Sequence, residues 1–112
     1  MATLQKYSVV ESGNVGLGQA GSIFVAGTGG VTCNNGVFVA ITFLEDTVFA
    51  SGVGGLSAET EQMWPDDAGT GTDIADSGGA VIDGETFPKG VTIYGRWTQF
   101  QLASGLVIAY RG

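Results

Sequence analysis

The fold of this chain is decided by one stretch, Val37-Phe38-Val39-Ala40-Ile41-Thr42-Phe43-Leu44. β-Branched and aromatic residues dominate it, and such residues favour strands. Its odd-numbered residues are all apolar, and so are its even-numbered residues except Thr42. A strand with one face in water would alternate apolar and polar side chains. The stretch is therefore predicted to be a central strand covered on both faces. A second sheet is expected to cover one face, and another subunit is the candidate cover for the other.

Glycine and asparagine punctuate the sequence on both sides of this strand. Asn34-Asn35-Gly36 supplies the positive φ angles of a tight hairpin turn, so residues 31–33 are predicted to pair with residues 37–44. Gly95 is predicted to be a β-bulge, and residues 103–105 a turn that pairs the last strand back onto residues 91–102. The remaining strands are expected over residues 7–10, 22–26 and 47–51.

These elements fit a single all-β domain over residues 1–112. Seven or eight strands with 20 glycines indicate a small antiparallel β-sandwich or barrel. Apolar residues make up 44% of the chain and charged residues only 13%. A chain with this many apolar residues has more hydrophobic surface than a small monomer readily buries, which favours a homo-oligomer. A well-filled small sandwich is the alternative explanation.

Charge is concentrated in one segment. Eight of the 11 acidic residues lie between Glu59 and Glu85, and no cation lies between Lys6 and Lys89. We call residues 56–86 the acidic segment and expect a long, projecting, solvated loop. Ser57, Glu59 and Pro65 allow at most a short helix at its start.

Composition removes whole classes of function. The chain has no histidine and one cysteine, Cys33, which excludes His-based catalysis, an internal disulfide and a zinc knuckle. Four cations against 11 acids give a net charge of −7, which argues against nucleic-acid binding. The longest apolar-rich run, residues 37–44, is far short of the roughly 20 residues of a membrane span. We expect no enzyme activity, cofactor, metal, small-molecule substrate or membrane partner.

Four weaker patterns have plain structural explanations. Residues 16–21 match the G-x-G-x-x-G dinucleotide motif, but a strand rather than a helix is expected to follow. Residues 66–73 contain clustered oxygens and glycines like a calcium loop, without the EF-hand spacing. The carboxylates of this loop could in principle form a glycosidase pair, although a loop holds such a pair poorly. Trp64, Tyr94 and Trp97 could form a sugar-stacking platform or pack in a core or interface.

The C-terminal third carries a resemblance to a known class of proteins. Its residues are Thr86-Phe87-Pro88-Lys89-Gly90-Val91-Thr92-Ile93-Tyr94-Gly95-Arg96-Trp97-Thr98 and Ser104-Gly105-Leu106-Val107-Ile108-Ala109-Tyr110. This sequence pattern resembles the ends of small, glycine-rich virion proteins of tailed, often marine, bacteriophages. The resemblance implies a small all-β late protein that assembles in many copies on a virus particle, made in the host cytoplasm.

The sequence and the resemblance together lead to one functional expectation. It is a non-enzymatic capsid decoration, or cement, protein on the outer surface of a phage head, bound to the major capsid protein and favoured as a trimer. An outside position is expected because packaged DNA repels an acidic protein. The expected contact residues are Tyr94, Trp97, Phe100, Leu102 and Tyr110. The alternative is a fibre or knob module that binds a glycan on the host surface.

Overall fold

A computed structural model describes residues 20–51 and 54–112 of the 112-residue chain. This part contains nine strands and no helix. The strands are β1 (Ser22–Val25), β2 (Val31–Thr32), β3 (Phe38–Phe43), β4 (Thr47–Phe49), β5 (Leu56–Ala58), β6 (Thr86–Phe87), β7 (Thr92–Phe100), β8 (Leu102–Ser104) and β9 (Val107–Arg111). The predicted all-β class is confirmed.

The strands form two antiparallel sheets. In the larger sheet β1, β9, β3 and β7 are neighbours in that order; β2 pairs with β7 on the same edge as β3, and β5 pairs with the opposite edge of β7. The smaller sheet has the order β6-β4-β8. From β3 to β9 successive strands alternate between the two sheets, so the chain crosses from one sheet to the other at each of these connections.

Strand β3 lies in the middle of the larger sheet, as its sequence predicts. It pairs with β7 on one side and β9 on the other, and none of its residues is exposed. Ile41 and Phe43 point into the core between the sheets. Ala40 and Thr42 point to the opposite face, where Ala40 is nevertheless fully buried.

A connected chain of five phenylalanines joins the two sheets. Phe49 of the smaller sheet lies in edge-to-face contact with Phe43, Phe87 and Phe100, at ring-centroid distances of 6.0, 5.5 and 6.1 Å. Phe87 stacks on Phe43 at 4.9 Å, and Phe38 meets Phe100 edge to face at 5.3 Å. Such offset and perpendicular pairs add to the gain from burying the rings. These five rings therefore form one continuous aromatic contact between the sheets within the core.

The predicted hairpin between residues 31–33 and residues 37–44 is wrong. Both β2 and β3 run antiparallel to β7, with Val31 opposite Phe100 and Phe38 opposite Trp97. They follow the same edge of β7 in the same direction, and the intervening Asn-Asn-Gly segment loops out. Asn35 does take the expected left-handed conformation, with φ of 57°. Positive φ bends the chain, but it does not decide which strand becomes the neighbour.

The last strand also has a different partner from the predicted one. β9 pairs with β1 and β3, because β3 lies between β9 and β7. The chain first leaves the larger sheet at Gln101 and pairs as β8 with β4. Gly105 then turns with φ of 105°, and its hydrogen packs directly against Thr47, where a methyl group would collide.

The predicted bulge at Gly95 is confirmed. Between two pairs in the β3–β7 ladder, Phe38 with Trp97 and Ala40 with Tyr94, β7 has two residues where β3 has one. Gly95 is needed there for space, because a Cβ atom would lie 2.9 Å from the rings of both Trp64 and Trp97. Real side chains essentially never approach so closely.

The acidic segment is more ordered than expected. Leu56–Ala58 forms β5 rather than the start of a helix, and Leu56 is fully buried in the core. A single turn follows, in which the Trp64 amide donates to the Thr60 carbonyl at 3.3 Å. Ile82 anchors the far end of the segment in the core, and β6 ends it at Thr86–Phe87. Because both ends are fixed in the core, the segment cannot project freely.

Two sequence predictions fall wholly or largely outside the described residues. The strand expected over residues 7–10 lies there, and so do the first two glycines of the G-x-G-x-x-G match. The residues after that motif are described and form strand β1, not the helix that dinucleotide binding requires.

The phenylalanine contact between the sheets predicts a large loss of stability for Phe49→Ala. Removing a fully buried ring that contacts three others is expected to cost about 3–5 kcal/mol of unfolding free energy. Phe24→Ala, at a position 58% exposed, is the matched control and is expected to change stability by less than about 0.5 kcal/mol. Urea titration of both variants measures the difference, and equal losses would contradict this account of the core.

The crowding at Gly95 predicts a loss of roughly 1–3 kcal/mol for Gly95→Ala, since the tryptophan rings must move. Gly27→Ala is the control, because nothing lies within 4 Å of its added methyl group and its φ is not positive. Thermal unfolding with tryptophan fluorescence reports both. If the Gly95 variant is as stable as the Gly27 variant, the rings of Trp64 and Trp97 move without a loss of unfolding free energy, and this account of Gly95 is wrong.

Candidate interaction surface

The larger sheet has one face turned away from the smaller sheet. Paired residues in antiparallel strands share a face, so the register defines two rows of side chains across it. The first row is Ser22, Tyr110, Ala40 and Tyr94, and the second is Phe24, Ile108, Thr42 and Thr92. We call these eight residues the open face.

The open face combines aromatic and aliphatic groups with few charges. Tyr94 is 65% exposed and Phe24 is 58% exposed, while Tyr110 and Ile108 are half-buried. The Thr42 and Thr92 hydroxyls lie 2.8 Å apart and hydrogen-bond to each other. Their pairing leaves a surface whose exposed part is mostly carbon. Tyr and Phe in this setting are typical of protein interfaces.

Two of the five expected contact residues lie together on this face. Tyr94 and Tyr110 are both register partners of Ala40 and flank it in one row. Their positions on one face allow both side chains to contact the same partner.

The other three expected contacts need correction. Trp97 and Phe100 have no exposed surface, and Leu102 is 1% exposed. All three belong to the core: an irregularity in β7 opposite Ser57 and Ala58 interrupts the alternation, so that Trp97 and Phe100 are both buried, and Leu102 lies in the smaller sheet. A buried side chain cannot touch a partner unless the fold opens.

The expected tryptophan–tyrosine platform does not form. Trp97 lies in the core, where its indole N–H donates to the Pro65 carbonyl at 2.7 Å. Tyr94 lies on the open face, and Trp64 lines a separate groove. The three aromatic side chains therefore offer no common stacking surface for a sugar.

This groove is a second surface feature, and no sequence pattern predicts it. It has a volume of about 490 Å³ and lies between the turn at residues 63–65 and the glycine-rich loop at residues 69–82. Its larger lining side chains are Met63, Trp64, Pro65, Ile74 and Ile82. Met63 is 44% exposed and Ile74 is 70% exposed. Sequence reasoning missed it because the two walls belong to what was expected to be one solvated loop.

The carboxylates of the suggested calcium loop bind backbone amides. Asp66 is buried and accepts from the Ala68 amide at 2.6 Å and the Ala58 amide at 3.1 Å. Asp67 accepts from the Gly54 amide at 2.9 Å. In the described ranges no three or more His, Cys, Asp or Glu side chains gather as a metal site requires.

One exposed ion pair fastens the start of the acidic segment to the larger sheet. The Arg96 guanidinium donates two hydrogen bonds to the Glu59 carboxylate, at 2.9 and 3.1 Å. These hydrogen bonds lower the pKa of Glu59 and raise that of Arg96. Arg96 is thus occupied within the chain.

The single cysteine lies beside a smaller cavity of about 250 Å³ between β1 and β2. Cys33 is half-buried, and burial raises the pKa of its thiol while the nearby Arg111 partly offsets this. A thiol with a raised pKa is mostly protonated at neutral pH and is a weak nucleophile.

Comparison with protein-family models, with curated proteins and with solved structures finds no match to this chain. Functional inference therefore rests on the surfaces themselves and on the resemblance of the C-terminal third. Among the described residues there is no helix long and apolar enough to cross a bilayer.

The buried position of Asp66 predicts that Asp66→Asn destabilises the protein. The asparagine amide would face one of the two backbone N–H donors and leave it unpaired, at a cost of about 1–3 kcal/mol. Asp76→Asn, at an exposed position of the same segment, is the control and is expected to be neutral. Chemical denaturation of both variants checks this. A calcium-dependent rise in wild-type stability that Asp66→Asn abolishes would instead make Asp66 a metal ligand.

Proposed function

We propose that this chain is a non-enzymatic structural protein of a phage particle. Its role is that of a decoration protein that binds the outside of the head and stabilises contacts between neighbouring subunits of the major capsid protein. The single observation that carries the proposal is the open face, a largely carbon surface with Tyr94 and Phe24 exposed at its two ends.

The open face has the chemistry of a contact surface between proteins. Aromatic residues contribute most of the binding energy at many interfaces, since they bury large areas with little loss of side-chain entropy. The two threonine hydroxyls satisfy each other, so covering them leaves fewer polar groups without partners. A sheet face repeated by symmetry suits a protein that binds in many copies.

The resemblance to phage virion proteins falls on the same part of the fold. The matching residues include β6, most of β7 and most of β9, and they contain both open-face tyrosines. This coincidence supports the open face as the contact surface, although the resemblance assigns no residue a role.

Charge supports an outer position. The net charge of −7 disfavours contact with packaged DNA, which is strongly anionic. Exposed carboxylates such as Asp73 and Asp76 also keep a many-copy surface protein soluble. We accordingly place the protein on the outer surface of the head, as a homo-oligomer with a trimer favoured.

The glycan-binding alternative receives less support. Its expected platform is divided between the core, the open face and the groove. Recognition of a sugar also needs several polar groups around an aromatic ring, and the groove lining offers only the Trp64 indole N–H among its side chains.

The proposal predicts saturable binding to phage heads that lack decoration protein. Wild-type protein is expected to bind in a fixed ratio to the capsid subunits and to raise the temperature at which the heads rupture. The double variant Tyr94→Ser/Phe24→Ser is expected to bind at least tenfold more weakly, because it loses two exposed aromatic anchors. Sedimentation with heads and a thermal release assay measure both effects.

Ile74→Ser is the matched control, since this exposed residue lies in the groove and away from the open face. It is expected to bind heads like the wild type. No saturable binding, or a double variant that binds normally, would overturn the proposal. Binding to a glycan array with no effect on heads would favour the host-surface alternative.

A further inference from the structure

We propose that the groove binds a cationic, apolar peptide segment of a partner protein: a lysine or arginine beside a leucine-sized side chain. The site is separate from the open face, and the proposal does not depend on the decoration role. It rests on three properties of the groove, which are its fixed walls, its apolar lining and the charge of the segment that forms it.

Backbone hydrogen bonds fix the two walls relative to each other. The Gly71 amide donates to the Glu61 carbonyl at 3.2 Å, and the Asp73 amide donates to the Gln62 carbonyl at 3.1 Å. At the other end of the loop the Gly79 amide donates to the Thr70 carbonyl at 2.6 Å. A groove held in this way exists before its ligand arrives, which reduces the entropy lost on binding.

Glycine is required where the loop closes. Gly78 has φ of 70°, and a Cβ atom there would collide with the Thr70 carbonyl oxygen. Ile82 is 8% exposed and holds the end of this wall in the core. The loop therefore takes a defined shape although its residues are small.

The lining selects an apolar occupant. All 11 lining residues are Gly, Ala, Ile, Met, Pro or Trp, and the volume of about 490 Å³ falls within the range of roughly 300–1,000 Å³ typical of ligand pockets. Exposed Met63 and Ile74 on opposite walls can both gain contact with one inserted side chain. An apolar side chain that covers them removes more apolar surface from water than a sugar would, and this burial favours binding.

Charge selects a cationic occupant. The segment from Glu59 to Glu85 holds eight carboxylates and no lysine or arginine. Asp73 and Asp76 are exposed and directly flank the lining residues Ile74 and Ala75. Neighbouring Cα atoms are about 3.8 Å apart, so these charges act within the Debye length of about 10 Å at 0.1 M salt.

The indole of Trp64 adds a second reason to expect a cation. Its ring packs beside Gly95 and also lines the groove, so the surrounding sheet holds its orientation. A tryptophan ring is the aromatic side chain that attracts lysine and arginine most strongly. A peptide that inserts an apolar side chain can therefore place a neighbouring cation near the ring or near the two carboxylates.

The test uses three acetylated and amidated pentapeptides added to the full isotope-labelled chain in two-dimensional NMR. They are Gly-Lys-Leu-Lys-Gly, its acidic counterpart Gly-Glu-Leu-Glu-Gly, and Gly-Lys-Ser-Lys-Gly, which lacks the apolar side chain. Only the first is expected to shift the Trp64 indole and Ile74 amide signals in a saturable way. Raising the salt concentration from 0.05 to 0.5 M is expected to weaken this binding, as it screens exposed charges.

Variants separate charge from shape. Asp73→Asn and Asp76→Asn are each expected to weaken binding by up to about fivefold, and Ile74→Ser to abolish it. Glu85→Gln, in the same segment but not beside the lining, and Phe24→Ser on the open face are the controls and are expected to bind normally. All these positions are exposed, so the variants are expected to fold.

Several results would overturn the proposal. Equal shifts from the acidic peptide would show that charge does not select the ligand. Equal shifts from the serine peptide would show that the groove does not bind the apolar side chain. Shifts confined to the open face would move the site elsewhere. Groove signals that depend on protein concentration and ignore all three peptides would make the occupant a second copy of this chain.

Discussion

The packing of Phe49 between the two sheets is the contact on which the rest of this structure depends. It joins Phe43, Phe87 and Phe100, which belong to three different strands of two sheets. The strands of the smaller sheet are only two or three residues long, at the short end of the usual range, so this aromatic contact is the main packing between it and the larger sheet. The chain crosses between the sheets where it does because β4, β6 and β8 must cover the phenylalanines of β3 and β7.

This arrangement also creates the two surfaces that have no cover within the described chain. The smaller sheet covers only one face of the larger sheet, which leaves the opposite face with its rows of tyrosine, phenylalanine and threonine. Leu56 and Ile82 anchor the two ends of the acidic segment in the core, while its middle is exposed to solvent. Its middle then folds back on itself, and the space between its two walls becomes the groove.

Local sequence signals succeeded where local geometry alone decides the outcome. The residue types of the central stretch identified β3 as the central strand, and the position of Gly95 identified a bulge. Asn35 took its expected left-handed conformation. The same signals failed for pairing, since β2 and β9 have different neighbours from those predicted. A turn residue bends the chain, but the neighbour is chosen by which apolar faces can be buried together.

The sequence by itself determined the all-β class, the central strand, the concentration of acid and the absence of histidine chemistry. Each of these follows from composition or from the local pattern of apolar residues along the chain. Only the tertiary structure decided which aromatic side chains are exposed and can contact a partner. Trp97 and Tyr94 lie three residues apart in one strand, yet one is buried and the other is 65% exposed. Strand alternation, a bulge and the position of the second sheet together assign each side chain to a face, and no local pattern contains all three.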